Sequence, residues 1–82
     1  MESKSVSETV SRLVARTVRV PAAEVSPSDE FESFAGWSSV TALRLLVSLE
    51  ETLGVTLDVS EYFAIQTVGE LIGTLEARQA NA

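Results

Sequence analysis

Two adjacent serines, Ser38 and Ser39, follow Gly36-Trp37 and open an apolar run over 40–53. They are the residues of this chain best placed for chemistry. The first turn of a helix has backbone N–H groups without partners and carries a partial positive charge. A phosphate linked to a serine oxygen is favoured there. The serine itself is a poor nucleophile without a neighbouring base. The chain has no His and no Cys, which removes Ser-His and Cys-His pairs, imidazole and thiolate metal ligands, and disulfides. The pattern points to a serine that bears a phosphate-linked group added by another enzyme, and nothing in it supports a hydrolase. A plainer reading stays open on the residues alone. Serine is a favoured N-cap, and either Ser38 or Ser39 can fill that position with no further role.

The elements that must hold these serines are helical. Ser5-Val6-Ser7-Glu8 is a capping box, and Val6, Val10, Leu13, Val14 and Thr17 recur at helical spacing after it, which predicts a helix over 5–18. Pro21 should stop it. Residues 19–38 form a long polar connection of the kind that tends to be functional, pinned by Val25, Phe31 and Phe34. The second helix is expected over 39–53, with Gly54 as its C-cap. Thr41, Arg44, Ser48 and Glu51 make its polar stripe, with Ala42 and Thr52 grouped beside them. Its apolar arc is wide, covering Val40, Leu43, Leu46, Val47, Leu49 and Leu53, as suits a helix contacted on several sides. Core packing is assigned to Leu43, Leu46, Leu49 and Leu53. Asp58-Val59-Ser60-Glu61 opens a short helix to Phe63, and Thr67-Val68-Gly69-Glu70 opens a last one to Arg78. Val68, Leu71, Ile72 and Leu75 are its core face, and 79–82 is expected to fray. The fold class is all-α: a small four-helix bundle, three main helices and one short, with a long first loop.

Composition narrows the function classes. At 82 residues and 45% hydrophobic, the chain suits a single folded domain over 1–82, not a disordered tail. Its net charge of −6 argues against nucleic acid and anionic membrane as partners. The same charge suits a protein that meets basic patches on other proteins. The N-terminus lacks a basic region backed by an apolar stretch, and no apolar run is long enough to span a bilayer. The expected location is cytoplasmic.

Gly36-Trp37-Ser38-Ser39-Val40, with the helix and the Glu50-Glu51-Thr52-Leu53-Gly54 end behind it, resembles the attachment site of acyl and peptidyl carrier proteins. That family's pattern is Gly-x-Asp-Ser-Leu, an apolar helix, then Glu-Glu, an apolar residue and Gly. Ser39 falls on the modified serine, Gly36 on the glycine and Val40 on the leucine. The stretch from Val20 to Phe31 is similar to the family's long first loop, and Thr67 to Leu71 to the start of its last helix. Two positions depart from the pattern. Ser38 stands where Asp is usual, and Arg44 where acyl carriers often have an acidic residue.

The resemblance implies a carrier and not an enzyme. A phosphopantetheinyl transferase would attach 4′-phosphopantetheine to Ser39. An acyl- or aminoacyl-loading enzyme and a downstream acyltransferase or synthase would be its other partners. It implies a docking face on the second helix, with Val40, Arg44, Val47 and Glu51, and the acidic Glu50, Asp58 and Glu61 as its electrostatic part. Trp37, an aromatic near the serine, leans toward the peptidyl side; an aromatic at that position also packs as a plain staple. Ser38 and Arg44 make a housekeeping fatty-acid carrier a poorer match than a discrete, monomeric carrier of polyketide, nonribosomal peptide or fatty-acid-type specialised biosynthesis, antibiotic biosynthesis among them. Asp58 to Phe63 also slightly resembles carriers of single amino acids, such as the D-alanyl carrier of teichoic-acid modification. The rival is a module of the same fold that is never modified and binds partners through the second helix.

Overall fold

A computed structural model describes residues 5–80. Among the described residues there are four α-helices: α1 (Val6–Val18), α2 (Ser39–Leu53), α3 (Val59–Ala64) and α4 (Val68–Ala80). The bundle is the all-α class expected. None of the helices is long and apolar enough to cross a membrane.

The helix starts follow the side-chain chemistry. Ser5 Oγ accepts from Glu8 N–H, and Asp58 Oδ1 from Glu61 N–H, each at 3.1 Å. The start of α4 is a complete capping box. Thr67 Oγ1 accepts from Glu70 N–H at 3.1 Å, and Glu70 Oε1 reaches back to the N–H groups of Gln66 and Thr67. Two helices end on left-handed residues. Gly54 closes α2 at φ 67°, where a glycine pays no steric penalty. Arg19 closes α1 at φ 64°, and the next N–H, of Val20, donates back to the Ala15 carbonyl at 3.0 Å, the pattern of a left-handed helix end.

The core joins all four helices. Val10, Leu13 and Val14 of α1 meet Ala42, Leu45, Leu46 and Leu49 of α2, and Val68, Leu71, Ile72 and Leu75 of α4. Residues 19–38 are not a featureless loop. They hold two 3-10 turns, Ala22–Glu24 and Phe31–Ser33, and the second drives Phe31 into the core. Val25 and Phe34 pack beside it, half-buried, as the loop reading anticipated.

Three expectations need correction. Leu43, assigned to the core, is 45% exposed, while Ala42, grouped with the polar positions, is 3% exposed. Leu45, assigned to neither side, is fully buried. The reason is rotational: α1 contacts α2 along Ala42, Leu45, Leu46 and Leu49, spaced at three and four, and Leu43 falls outside that stripe. The frayed end over 79–82 is the third. Helix α4 continues to Ala80, and the Gln79 side chain donates to the Leu53 carbonyl at 2.8 Å, satisfying one of the open carbonyls at the end of α2. Asn81 and Ala82 lie outside the described residues.

Candidate functional site

The turn into α2 is built by Gly36 and Ser38. Gly36 sits at φ 80°, a backbone that side-chain-bearing residues adopt only under strain. Its carbonyl accepts from the Thr41 hydroxyl at 3.1 Å. Ser38 is the N-cap: its backbone is extended and its Oγ accepts from Thr41 N–H at 3.3 Å. Ser39 is therefore the first helical residue. Of the two serines that could have capped the helix, the structure uses Ser38.

This division leaves Ser39 free. Its side chain is exposed, and its hydroxyl makes no hydrogen bond among the described residues. The amide N–H groups of Ser39 and Val40 likewise have no partner among them, as the geometry of a first turn dictates. Those two donors and the positive end of α2 favour an anionic group on the Ser39 oxygen.

Beside Ser39 lies a groove of about 670 Å³. Phe31 and Trp37 form one wall, stacked with centroids 4.9 Å apart and planes at 19°. Phe63 and Ile65 also line it, as do Glu30 and Glu32, which flank Phe31 in the chain. Tyr62 sets the position of α3. It is buried, its hydroxyl donates to the Ala42 carbonyl at 2.6 Å, and burial raises its pKa above the ordinary phenol value, so it stays a neutral donor. Helical spacing gave no sign of that tether, because it joins residues of separate helices.

The outward face of α2 is apolar near the serine. Val40 is 60% exposed and Val47 52%. Leu43 joins them, and with Arg44 and Ser48 they line a shallow hollow. Three apolar side chains on one turn-to-turn face form a patch and not scattered exposure. Arg44 and Glu51 are exposed on the same side. Glu50 is not free in the same way: it is half-buried and its Oε2 accepts from Leu57 N–H at 2.9 Å, holding the α2–α3 connection. Glu61 pairs with Arg78 at 3.0 Å. Both partners of that pair are largely exposed, so it adds little stability.

Residues 8–75 match the phosphopantetheine attachment site family. The chain belongs to that family. An acyl carrier protein of Saccharopolyspora erythraea is 28% identical over 85 residues, covering 100% of this chain and 90% of its own length. Another, of Helicobacter pylori, is 30% identical over 69 residues, covering 84% of this chain and 88% of its own. As a member of the phosphopantetheine attachment site family the protein is a carrier and not an enzyme, and its cofactor is covalent 4′-phosphopantetheine. The α2 start fits that group, with an exposed serine hydroxyl, two unpaired amide donors and open space alongside.

Proposed function

We propose that Ser39 carries the phosphopantetheine arm, and that the protein holds an acyl or aminoacyl group for partner enzymes of a specialised polyketide, nonribosomal peptide or fatty-acid-type pathway. One observation supports the assignment above the others: Ser38 does the capping, so the Ser39 oxygen is free to take a substituent without the helix losing its cap. When attached, the arm supplies the thiol that the chain lacks, on which cargo is held as a thioester. The chain's own part is to present the serine on a rigid first turn, stabilise the phosphodiester charge and offer a surface to partners. A separate phosphopantetheinyl transferase must supply the base and the coenzyme A. Incubation with coenzyme A and a broad-range transferase, followed by intact-mass spectrometry, should show one added phosphopantetheine. A protein that stays unmodified under those conditions is the interaction module instead.

Ser38 stands where the family usually has Asp, and Asp is an equally good cap. Ser38→Asp should keep the fold and add about 0.3–1 kcal/mol through the helix dipole. Modification by the broad-range transferase should proceed at the parental rate or faster. A rate several-fold lower would mean that the transferase reads the Ser38 hydroxyl itself.

Partners are expected to dock on the face with Val40, Arg44, Val47 and Glu51, next to Trp37. Leu43 extends that face. Any enzyme acting on the cargo must approach Ser39, and this is the exposed apolar surface nearest to it along α2. Arg44→Glu should change mainly the association rate and its salt dependence. Val47→Asp should weaken the docked complex, because it buries a charge in the contact. Both variants should stay folded, since both side chains are exposed. Transfer kinetics with a cognate loading enzyme over a salt series distinguish the two effects. Parental behaviour of both variants would remove α2 as the docking surface.

A further inference from the structure

The groove beside Ser39 is held open by the fold. Backbone hydrogen bonds tie the first loop to the α3–α4 connection, and so join the segments that line the groove. Phe31 N–H donates to the Gln66 carbonyl at 2.9 Å, Val68 N–H to the Asp29 carbonyl at 3.0 Å, and Gly69 N–H to the Pro27 carbonyl at 2.8 Å. Glu30 and Thr67 form an antiparallel bridge at the same place. The α3 wall is fixed to α2 by the Tyr62–Ala42 bond. Its volume, about 670 Å³, lies within the range of about 300–1,000 Å³ typical of small-ligand sites.

Its chemistry is one-signed. The 3-10 turn that sends Phe31 into the core leaves Glu30 and Glu32, on either side of it, exposed at the groove. Neither carboxylate makes a hydrogen bond or ion pair among the described residues. Among the described residues no Lys or Arg lines the groove. The described cations stand elsewhere: Arg12, Arg16 and Arg19 on or beside α1, Arg44 on the outer face of α2, and Arg78 paired with Glu61. Trp37 and Phe63 add aromatic groups to its lining. A concave site of this kind concentrates a negative potential, and aromatic faces attract cations further.

We infer that this groove receives the cargo end of the arm and selects for an ammonium-bearing, aminoacyl group over neutral and carboxylate-bearing acyl groups. The inference rests on Ser39 being the attachment point and names the class of cargo that the same site prefers. Glu30 and Glu32 face the ammonium, Trp37 and Phe63 flank the side chain, and a carboxylate in the same place meets two like charges and no counter-ion.

Three cargoes of one skeleton test this: alanyl, propionyl and methylmalonyl, which place an ammonium, a hydrogen and a carboxylate on the same carbon. Each is attached from a stable, amide-linked coenzyme A analogue by a broad-range transferase. Peptide mass spectrometry locates the arm, and two-dimensional 15N–1H NMR reads the groove. The alanyl form should shift the Trp37 indole and the amides of Glu30, Glu32 and Phe63 several-fold more than the propionyl form. The methylmalonyl form should leave them at the positions of the cargo-free arm. In the double variant Glu30→Gln, Glu32→Gln, the alanyl shifts should fall to the propionyl level. Both carboxylates are exposed and unpaired, so the variant keeps the fold, which its remaining spectrum verifies directly. An arm at Ser39 with the same groove shifts for all three cargoes overturns the inference alone, as do alanyl shifts that survive the double variant. An arm elsewhere overturns the assignment of Ser39 and this inference with it.

Discussion

Ser39→Ala should take no phosphopantetheine at all under conditions in which the parent is fully converted, and should melt at nearly the parental temperature. Complete loss is expected because the proposed attachment is a bond to the Ser39 oxygen, which alanine lacks. Ser38, one residue away, does not substitute. Its Oγ is turned to Thr41 N–H and Thr41 Oγ1, at 3.3 and 3.2 Å, and its backbone lies outside the helix. The fold is spared because the Ser39 side chain bonds to nothing among the described residues, and alanine is the strongest helix former. Intact mass and circular dichroism on the same sample supply both readings. Added mass on the variant would move the assignment to another residue. A lost fold would mean that Ser39 contributes structure that its exposure does not indicate.

Leu45→Ala should be, with Leu49→Ala, among the most damaging single truncations on α2. Leu45 is fully buried between α1 and the rest of the core. Removing its side chain loses transfer free energy and leaves a cavity, together about 2–5 kcal/mol. A domain this small has only about 5–15 kcal/mol in total. With about 4–8 °C lost per kcal/mol at this size, the melting temperature should fall by roughly 10 °C or more. Leu43→Ala is the control. Leu43 is 45% exposed, so its truncation should shift the midpoint little and should show instead in partner docking. Equal losses from the two substitutions would contradict the face that α2 turns inward.

That contrast marks where the sequence was readable. Capping residues and three-and-four spacing located all four helices, because both are local and each satisfies groups within one turn. On α1 and α4 one face is apolar, so the spacing also gave the buried side. On α2 apolar residues surround most of the helix, and Leu43 and Leu45 are interchangeable by composition. Contact with α1 and the Tyr62 bond to Ala42 choose between them, and neither is encoded within α2. The candidate attachment site followed the same rule. Gly36 and the two serines are contiguous, so the helix start they form was legible. Which of the two caps the helix was left open and needed the backbone geometry. The groove could not be read, because its walls are residues 30–37 and 62–66, brought together by bonds such as Phe31 N–H to the Gln66 carbonyl. Glu50 belonged by type to an acidic docking face; only the fold shows its carboxylate already engaged with Leu57.

With the arm proposed on Ser39, the sharing of work between Ser38 and Ser39 keeps labelling from costing the helix its cap. A cap that had to carry the arm would lose its bond to Thr41 when esterified, and the loaded and unloaded forms would differ in stability by the worth of a cap, about 1 kcal/mol. Here the cap is a different atom on a different residue. With the arm on Ser39 the cap would survive labelling, and the phosphodiester at the positive end of α2 would add about 0.3–1 kcal/mol to the labelled form. Degradation that acts through unfolding would then clear idle, unlabelled protein slightly ahead of working protein.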